Sequence, residues 1–216
     1  MIATTTPWSQ VFSAALRGEP CAFVGASGET QRLPVEQWRQ VADASDTAVL
    51  THCVGATLDI GCGPGRMTQR LVELGHLALG IDVVPEAVAQ TRQRGAEAIE
   101  RDIFSPLPGE GRWQSVLLAD GNIGIGGDPV ALLARVRSLL APGGRVVVDL
   151  DPPGRGIATE VVCLQTQADR SEAFAWSSVG ADAIESLAWT VGLTLIGLHS
   201  YDRRWFAVLE KGVATW

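Results

Sequence analysis

The sequence is poor in the residues that mark metal, disulfide and nucleic-acid proteins. Its four cysteines, Cys21, Cys53, Cys62 and Cys163, are scattered without a Cys-x-x-Cys pair. That spacing excludes a zinc knuckle or a redox dithiol and suits reduced thiols. The three histidines, His52, His76 and His199, have no second ligand type at useful spacing, so no metal site is expected. Basic residues number 17 against 24 acidic ones, a net charge of −7. A protein that grips a phosphate backbone carries a basic patch. Here Arg92/Arg94, Arg135/Arg137 and Arg203/Arg204 are isolated pairs, and nucleic acid is not an expected partner. No apolar run approaches the ~20 residues of a membrane span. Met1 to Pro7 lacks a basic stretch followed by an apolar one, which makes the cytoplasm the expected compartment and no membrane the expected setting. Composition leaves the oligomeric state open.

What is present is a core. Apolar residues make up 46% of 216, enough for one sizeable domain with room for a small appendage. From Ala56 onward, short apolar runs alternate with helix-like segments. Thr57 to Ile60 reads as a buried strand. Met67, Leu71, Val72 and Leu74 follow at helical spacing within about 64–74, and Gly75 stops them. Leu77 to Asp82 is the second strand, and Pro85 opens a helix to about Arg94. Ala96 to Asp102 and Ser115 to Ala119 are the third and fourth strands. Asp128 and Pro129 cap and open a helix through Leu140, and Pro142-Gly143-Gly144 turns into a fifth strand, Arg145 to Leu150.

Such alternation predicts a parallel sheet with right-handed crossovers. The pattern then changes. Thr159 to Thr166 and Glu172 to Trp176 read as a hairpin, an insertion at about 155–180, before a helix over Ala181 to Val191. Strands Leu193 to Tyr201 and Arg204 to Lys211, joined by Asp202-Arg203, must be antiparallel. The first 50 residues form a separate appendage, with a small hairpin around Ala26-Ser27-Gly28 and a helix holding Trp38. Trp8, Phe12 and Trp38 there either cover the pocket as a lid or pack on the sheet edge. Residues 51–216 form the main domain. Gly25-Ala26-Ser27-Gly28-Glu29 lacks the last glycine of a nucleophile elbow.

The strongest local signal is Asp59-Ile60-Gly61-Cys62-Gly63-Pro64-Gly65, after the first strand. Glycines let the backbone turn sharply and approach a ligand, and the next helix offers its N–H groups. Taken alone, such a loop can also be a mere tight turn. Dinucleotide sites use G-x-G-x-x-G/A, but Arg66 occupies the third small position, which argues against a nicotinamide-dependent oxidoreductase. Cys62 is read as a small filler, not a nucleophile. Leu58 to Gly65 resembles motif I of the class I S-adenosylmethionine (SAM)-dependent methyltransferases.

The resemblance covers about Ala56 to Lys211. It implies a Rossmann-like, doubly wound, mostly parallel seven-stranded sheet with an antiparallel C-terminal strand. It further implies SAM as cofactor and S-adenosylhomocysteine (SAH) as product, and Asp82 as the acid that accepts both ribose hydroxyls. Asp102 and Ile103 would meet the adenine, and Leu139 to Arg145 would be the family's turn into its fifth strand. Asp59, Gly61, Cys62, Gly63, Gly65 and Val83 complete the cofactor set.

Ala119 to Asp128, with four glycines, lies where ligands bind in open α/β sheets. In it Asp120 and Asn122 either bind the SAM amino group or orient the acceptor, or serve as turn residues. Asp128 is mainly a helix cap. Asp120 and His199 are the candidate general bases. Asn122 and Tyr201 are the acceptor-side candidates, although His199 and Tyr201 also suit a packed or edge position. Trp176 and Trp205 read as core or interface residues. Acidity favours a small-molecule acceptor, and Asp120-Gly121-Asn122-Ile123 departs from the Asn-Pro-Pro-Tyr tetrapeptide of members that methylate amide-like or base nitrogens. The expected activity is methyl transfer to such an acceptor. A SAM- or SAH-binding module without transferase activity is the alternative.

Overall fold

The computed structural model describes residues 6–213. The chain runs α1 (Trp8–Leu16), β1 (Ala22–Gly25), β2 (Thr30–Arg32), α2 (Val35–Trp38), α3 (Ala44–Leu50), β3 (Thr57–Ile60), α4 (Arg66–Glu73), β4 (Ala78–Asp82), α5 (Pro85–Gln93) and β5 (Ala98–Glu100). It continues through β6 (Trp113–Leu118), a kinked 3-10 segment (Asn122–Gly127), α6 (Pro129–Leu139), β7 (Leu140–Leu150), β8 (Ile157–Gln165), β9 (Phe174–Val179), α7 (Ile184–Thr190), β10 (Leu193–Tyr201) and β11 (Arg204–Lys211).

Seven strands form the central sheet in the order β10-β11-β7-β6-β3-β4-β5. β7, β6, β3, β4 and β5 are mutually parallel, and β11 runs antiparallel to both β7 and β10. This is the expected Rossmann-like sheet with its antiparallel C-terminal strand. Alternation along the strands feeds two cores. Val116, Leu118, Val146 and Val148 pack with Leu132, Leu133 and Val136 of α6 on one face. Leu117 and Val147 pack with Val49, Leu50, Met67 and Leu71 on the other. Strands buried on both faces must be apolar almost throughout, as these are. Asp128 caps α6 by accepting from the Ala131 N–H, at 3.0 Å, with Pro129 next in the chain.

The sequence-based expectation differs in three places. α1 and α3 were not anticipated. α3 is short and carries only Val49 and Leu50 as large apolar residues, but it is fixed by a reciprocal cap between Asp43 and Asp46. β7 begins at Leu140, so the Pro142-Gly143-Gly144 turn lies within its span. The N-terminal hairpin and the 155–180 hairpin are not separate. β1 pairs antiparallel with β8, giving a second sheet of order β2-β1-β8-β9. Among the described residues no helix is long and apolar enough to cross a membrane.

Candidate functional site

The loop after β3 uses its three glycines, all at positive φ, for three different purposes. At Gly61 a Cβ would lie 2.7 Å from Asn122 Nδ2, and that amide donates to the carbonyls of Ile60 (2.8 Å) and Gly61 (3.0 Å). Asn122 therefore straps the loop after β6 to the loop after β3. At Gly63 a Cβ would meet nothing within 4 Å, because this residue lines an open cavity. At Gly65 it would lie 2.7 Å from the Thr91 backbone, so this glycine permits close packing of α4 on α5. Gly65 does not line the cavity, contrary to its place in the expected cofactor set.

Asp59 also lies away from the cavity wall. It is fully buried beneath the loop, accepts from Thr68 Oγ1 at 2.6 Å, and does not reach the cavity. Burial pushes its carboxyl up to about 7. Cys62 lines the cavity but is buried, with its thiol against Thr91 Oγ1 and the Gly63 carbonyl. Burial raises that thiol well above its ordinary value, which makes it a poor nucleophile and leaves it the filler its size suggests.

β4 ends on Asp82, which lines the cavity. One carboxylate oxygen accepts from the Gly63 N–H (3.0 Å) and the other from the Val84 N–H (2.9 Å). Both keep a lone pair for a further donor. Burial pushes this carboxyl up, against the lowering effect of those N–H groups. Val83, Asp102 and Ile103 line the same cavity. Asp102 accepts from the Phe104 N–H at 2.9 Å, and Phe104 stands half-exposed beside it.

Asp120 lies in the cavity wall but is not free to act alone. It sits at φ +52, accepts from Arg66 at 2.6 Å, and donates its backbone N–H to Asp149 at 2.6 Å. Arg66 also pairs with Asp46, while Arg204 bridges Asp46 and Asp149. Three carboxylates and two guanidiniums thus form one network, with Arg66 only 4% exposed and its Nε buried without a partner. Burial raises the Asp120 carboxyl, while Arg66 and Arg204 pull it down. Burial outweighs the arginines and leaves the carboxyl raised, but Arg66 holds it and Arg204 faces it at 3.6 Å, so the geometry gives Asp120 a positioning role. Sequence reasoning used Arg66 only to exclude a dinucleotide and missed its partners, which come from α3 and the loop after β6.

His199 and Tyr201 do not line the cavity. His199 stacks on Phe206 (5.2 Å) and against His52 (4.3 Å), on the face that α3 covers. Both residues sit on β10, an edge strand distant in sheet order from β3 and β4. The packed reading of His199 is the one this geometry supports.

The cavity, about 1070 Å³, is floored by the strand ends of the seven-stranded sheet and roofed by one face of the four-stranded sheet. On that face Phe23 of β1, Ala158, Glu160, Val162 and Leu164 of β8, and Phe174 and Trp176 of β9 line it. Trp8 joins Phe174 (5.7 Å), Phe23 joins Trp176 (5.7 Å), and Phe12 pairs with Trp38 (6.1 Å). Trp8, Phe12 and Trp38 all line the cavity, as does Trp176, which was read as a core or interface residue. The glycines after β6 serve this roof. A Cβ at Gly124 would lie 2.2 Å from the Ser177 carbonyl, and one at Gly127 would lie 2.4 Å from Ala175 Cβ.

Residues 57–144 match the family model described as a methyltransferase domain. The chain is 31% identical over 97 residues to a trans-aconitate 2-methyltransferase of Paracidovorax citrulli, covering 43% of this chain and 37% of that protein. It is 34% identical over 111 residues to the enzyme of the same name from Delftia acidovorans, 49% of this chain and 41% of that one. The chain thus matches less than half the length of these curated relatives. Among solved structures, a SAM-dependent methyltransferase from Bacteroides fragilis, in complex with SAH, superposes with a TM-score of 0.78 at 18% identity, covering 99% of this chain and 98% of that one. The Burkholderia thailandensis 1,6-didemethyltoxoflavin-N1-methyltransferase does so at 0.57 and 20% identity, over 78% and 76%.

Proposed function

We propose, from the premise that the chain belongs to the class I SAM-dependent methyltransferases, that it transfers a methyl group to a small-molecule acceptor. The observation that carries this is the open cradle at Gly63 beside Asp82. The backbone there leaves room that a Cβ would fill, and an adjacent carboxylate holds unused lone pairs. Gly61, Cys62 and Gly63 would contact the cofactor by backbone, Asp82 the ribose hydroxyls, and Val83, Asp102 and Ile103 the adenine end. The net charge of the Arg66 network, one negative in excess, favours a cationic cofactor nearby through Asp120. Bound SAM would supply a methyl group made electrophilic by its sulfonium.

The chain's own contribution is to hold the acceptor in line, an effect that supplies up to ~7–11 kcal/mol of a barrier. In this reading the first 50 residues and the hairpin at about 155–180 form the acceptor side and shield it from water. Asn122, strapped to the loop backbone, fixes the distance between the two sides. The trans-aconitate and toxoflavin-type names of the relatives support a small-molecule acceptor.

Calorimetry with SAM and SAH tests the premise, and no binding below millimolar would overturn it. Asp82→Ala is expected to weaken SAH ~10- to 100-fold, the worth of one or two charged hydrogen bonds. Unchanged affinity would remove the ribose assignment. Methyl-labelled SAM incubated with a metabolite extract then reads transfer itself.

A further inference from the structure

The wall opposite the cofactor cradle has a chemistry of its own. Glu160 on β8 lies directly across from Trp176 on β9, on the face that lines the cavity. Phe23 lies 5.7 Å from Trp176, and Phe174 meets it edge-on at 6.4 Å. Among the described residues Glu160 makes no ion pair and no side-chain hydrogen bond, and the same holds for the Asp151 carboxylate at the mouth of the roof. Arg155 is the cation on this side of the cavity, set against Glu160, Asp151 and Glu29. The other arginines of the wall differ. Arg66 is bound within its carboxylate network, and Arg101 lies at the cofactor end beside Asp102.

We propose that the acceptor is an alkylamine carried on a flat aromatic or heteroaromatic ring, bound against the indole of Trp176 with its ammonium on the neighbouring carboxylate of Glu160. This inference rests on the methyl-transfer reading above. Aromatic faces attract a cation within about 6 Å, and the neighbouring carboxylates add a charge-assisted hydrogen bond. An acceptor with several carboxylates finds the opposite, since it would meet three acidic side chains and one arginine. The absence of a strong base on the wall points the same way. The titratable groups that line the cavity, arginines and the buried Cys62 aside, are carboxylates. Carboxylates are weak bases for an alcohol, whose proton must leave as it reacts, whereas an amine sheds its extra proton to water beforehand and then reacts without a base.

The step balances without further reagents. The amine enters neutral, having left its extra proton to water. Its nitrogen lone pair forms the new N–C bond as the methyl's bond to sulfur breaks, with that electron pair staying on sulfur. The positive charge passes from sulfur to nitrogen, and the methylammonium product gives its proton to water. In this reading Glu160 and Asp151, both in the cavity wall, would stabilise charge that develops on the nitrogen.

Tryptamine and indole-3-acetate, one ring with opposite charges, test this by calorimetry on the SAH-saturated protein, with trans-aconitate as a third probe. Tryptamine is expected to bind at least ~10-fold tighter than either anion. The Glu160→Gln/Asp151→Asn double variant is expected to bring the ratio close to one while SAH affinity stays unchanged. Tighter binding of an anion, no binding of any probe, or a preference that survives the double substitution would overturn the proposal. SAH affinity, read in the same samples, reports separately on the methyl-donor site. Failure there sinks the methyl-transfer reading, while tryptamine binding to the free protein still reports on the wall.

Discussion

Floor and roof of the cavity are built by opposite means. The floor comes from the ends of parallel strands, where each functional residue follows its strand directly: Gly61 and Gly63 after β3, Asp82 at the end of β4, Asp120 after β6. The roof comes from strands far apart in the chain, β1 and β8, that become neighbours only in the folded molecule. A floor of this kind carries its chemistry in local spacing. A roof of this kind carries it in pairing, and the same residues mean little until their partners are known.

The severest way to break that contrast is at Arg66, which ties α3 to the loop after β6. Arg66→Ala leaves Asp46 and Asp120 short of a partner in a buried network and is expected to cost ~3–5 kcal/mol, read by urea unfolding. A loss below about 1 kcal/mol would show that the network is not a brace. Two glycines sharpen the contrast next. Gly65→Ala combines a positive φ with a clash against the Thr91 backbone. It should cost ~1–3 kcal/mol and weaken SAH binding, since α4 carries the loop. Gly124→Ala drives a methyl into β9 at a similar cost of ~1–3 kcal/mol, yet it should spare SAH affinity, because it moves only the roof. If both variants lose SAH alike, floor and roof are one unit.

A further test is of pH dependence. Asp59 holds its proton to about 7 in the folded protein, against about 4 unfolded. The folded state therefore binds more protons in that window, and stability falls as pH rises through it, by at most ~1.4 kcal/mol per pH unit. Asp59→Asn should flatten this slope, compared by urea midpoints near pH 5 and pH 8. Asp82 and Asp120, also raised, leave a residual slope of the same sign. An unchanged slope would place the titration elsewhere.

The same contrast explains what could be read from the sequence. β3, β10 and β11 begin and end where their apolar patterns do, and the Asp128-Pro129 cap opens α6 as expected. Asp82, Asp102 and Gly63 reach the cavity because their positions depend only on where a strand ends. Gly65 and Asp59 belong to the same motif, but one packs helices and the other supports the loop from below, a distinction that spacing cannot make. Trp176 read as core or interface because an aromatic on an isolated hairpin gives no sign of what it faces. Its exposure to the cavity follows from β1 joining that hairpin. The Arg66 network was illegible for the same reason, since its members come from five separate parts of the chain.

The pairing of β1 with β8 also sets an order of events as the chain folds. Ala22 pairs with Gln165 across five parallel strands that lie between them in the chain. Closing so long a loop is entropically costly, and contacts of that kind form late. The floor can assemble as its strands emerge in turn, while one edge of β1 waits without a neighbour. Enclosure of the cavity is therefore a finishing step, and slow refolding should first restore the sheet and only afterwards the walled space above it.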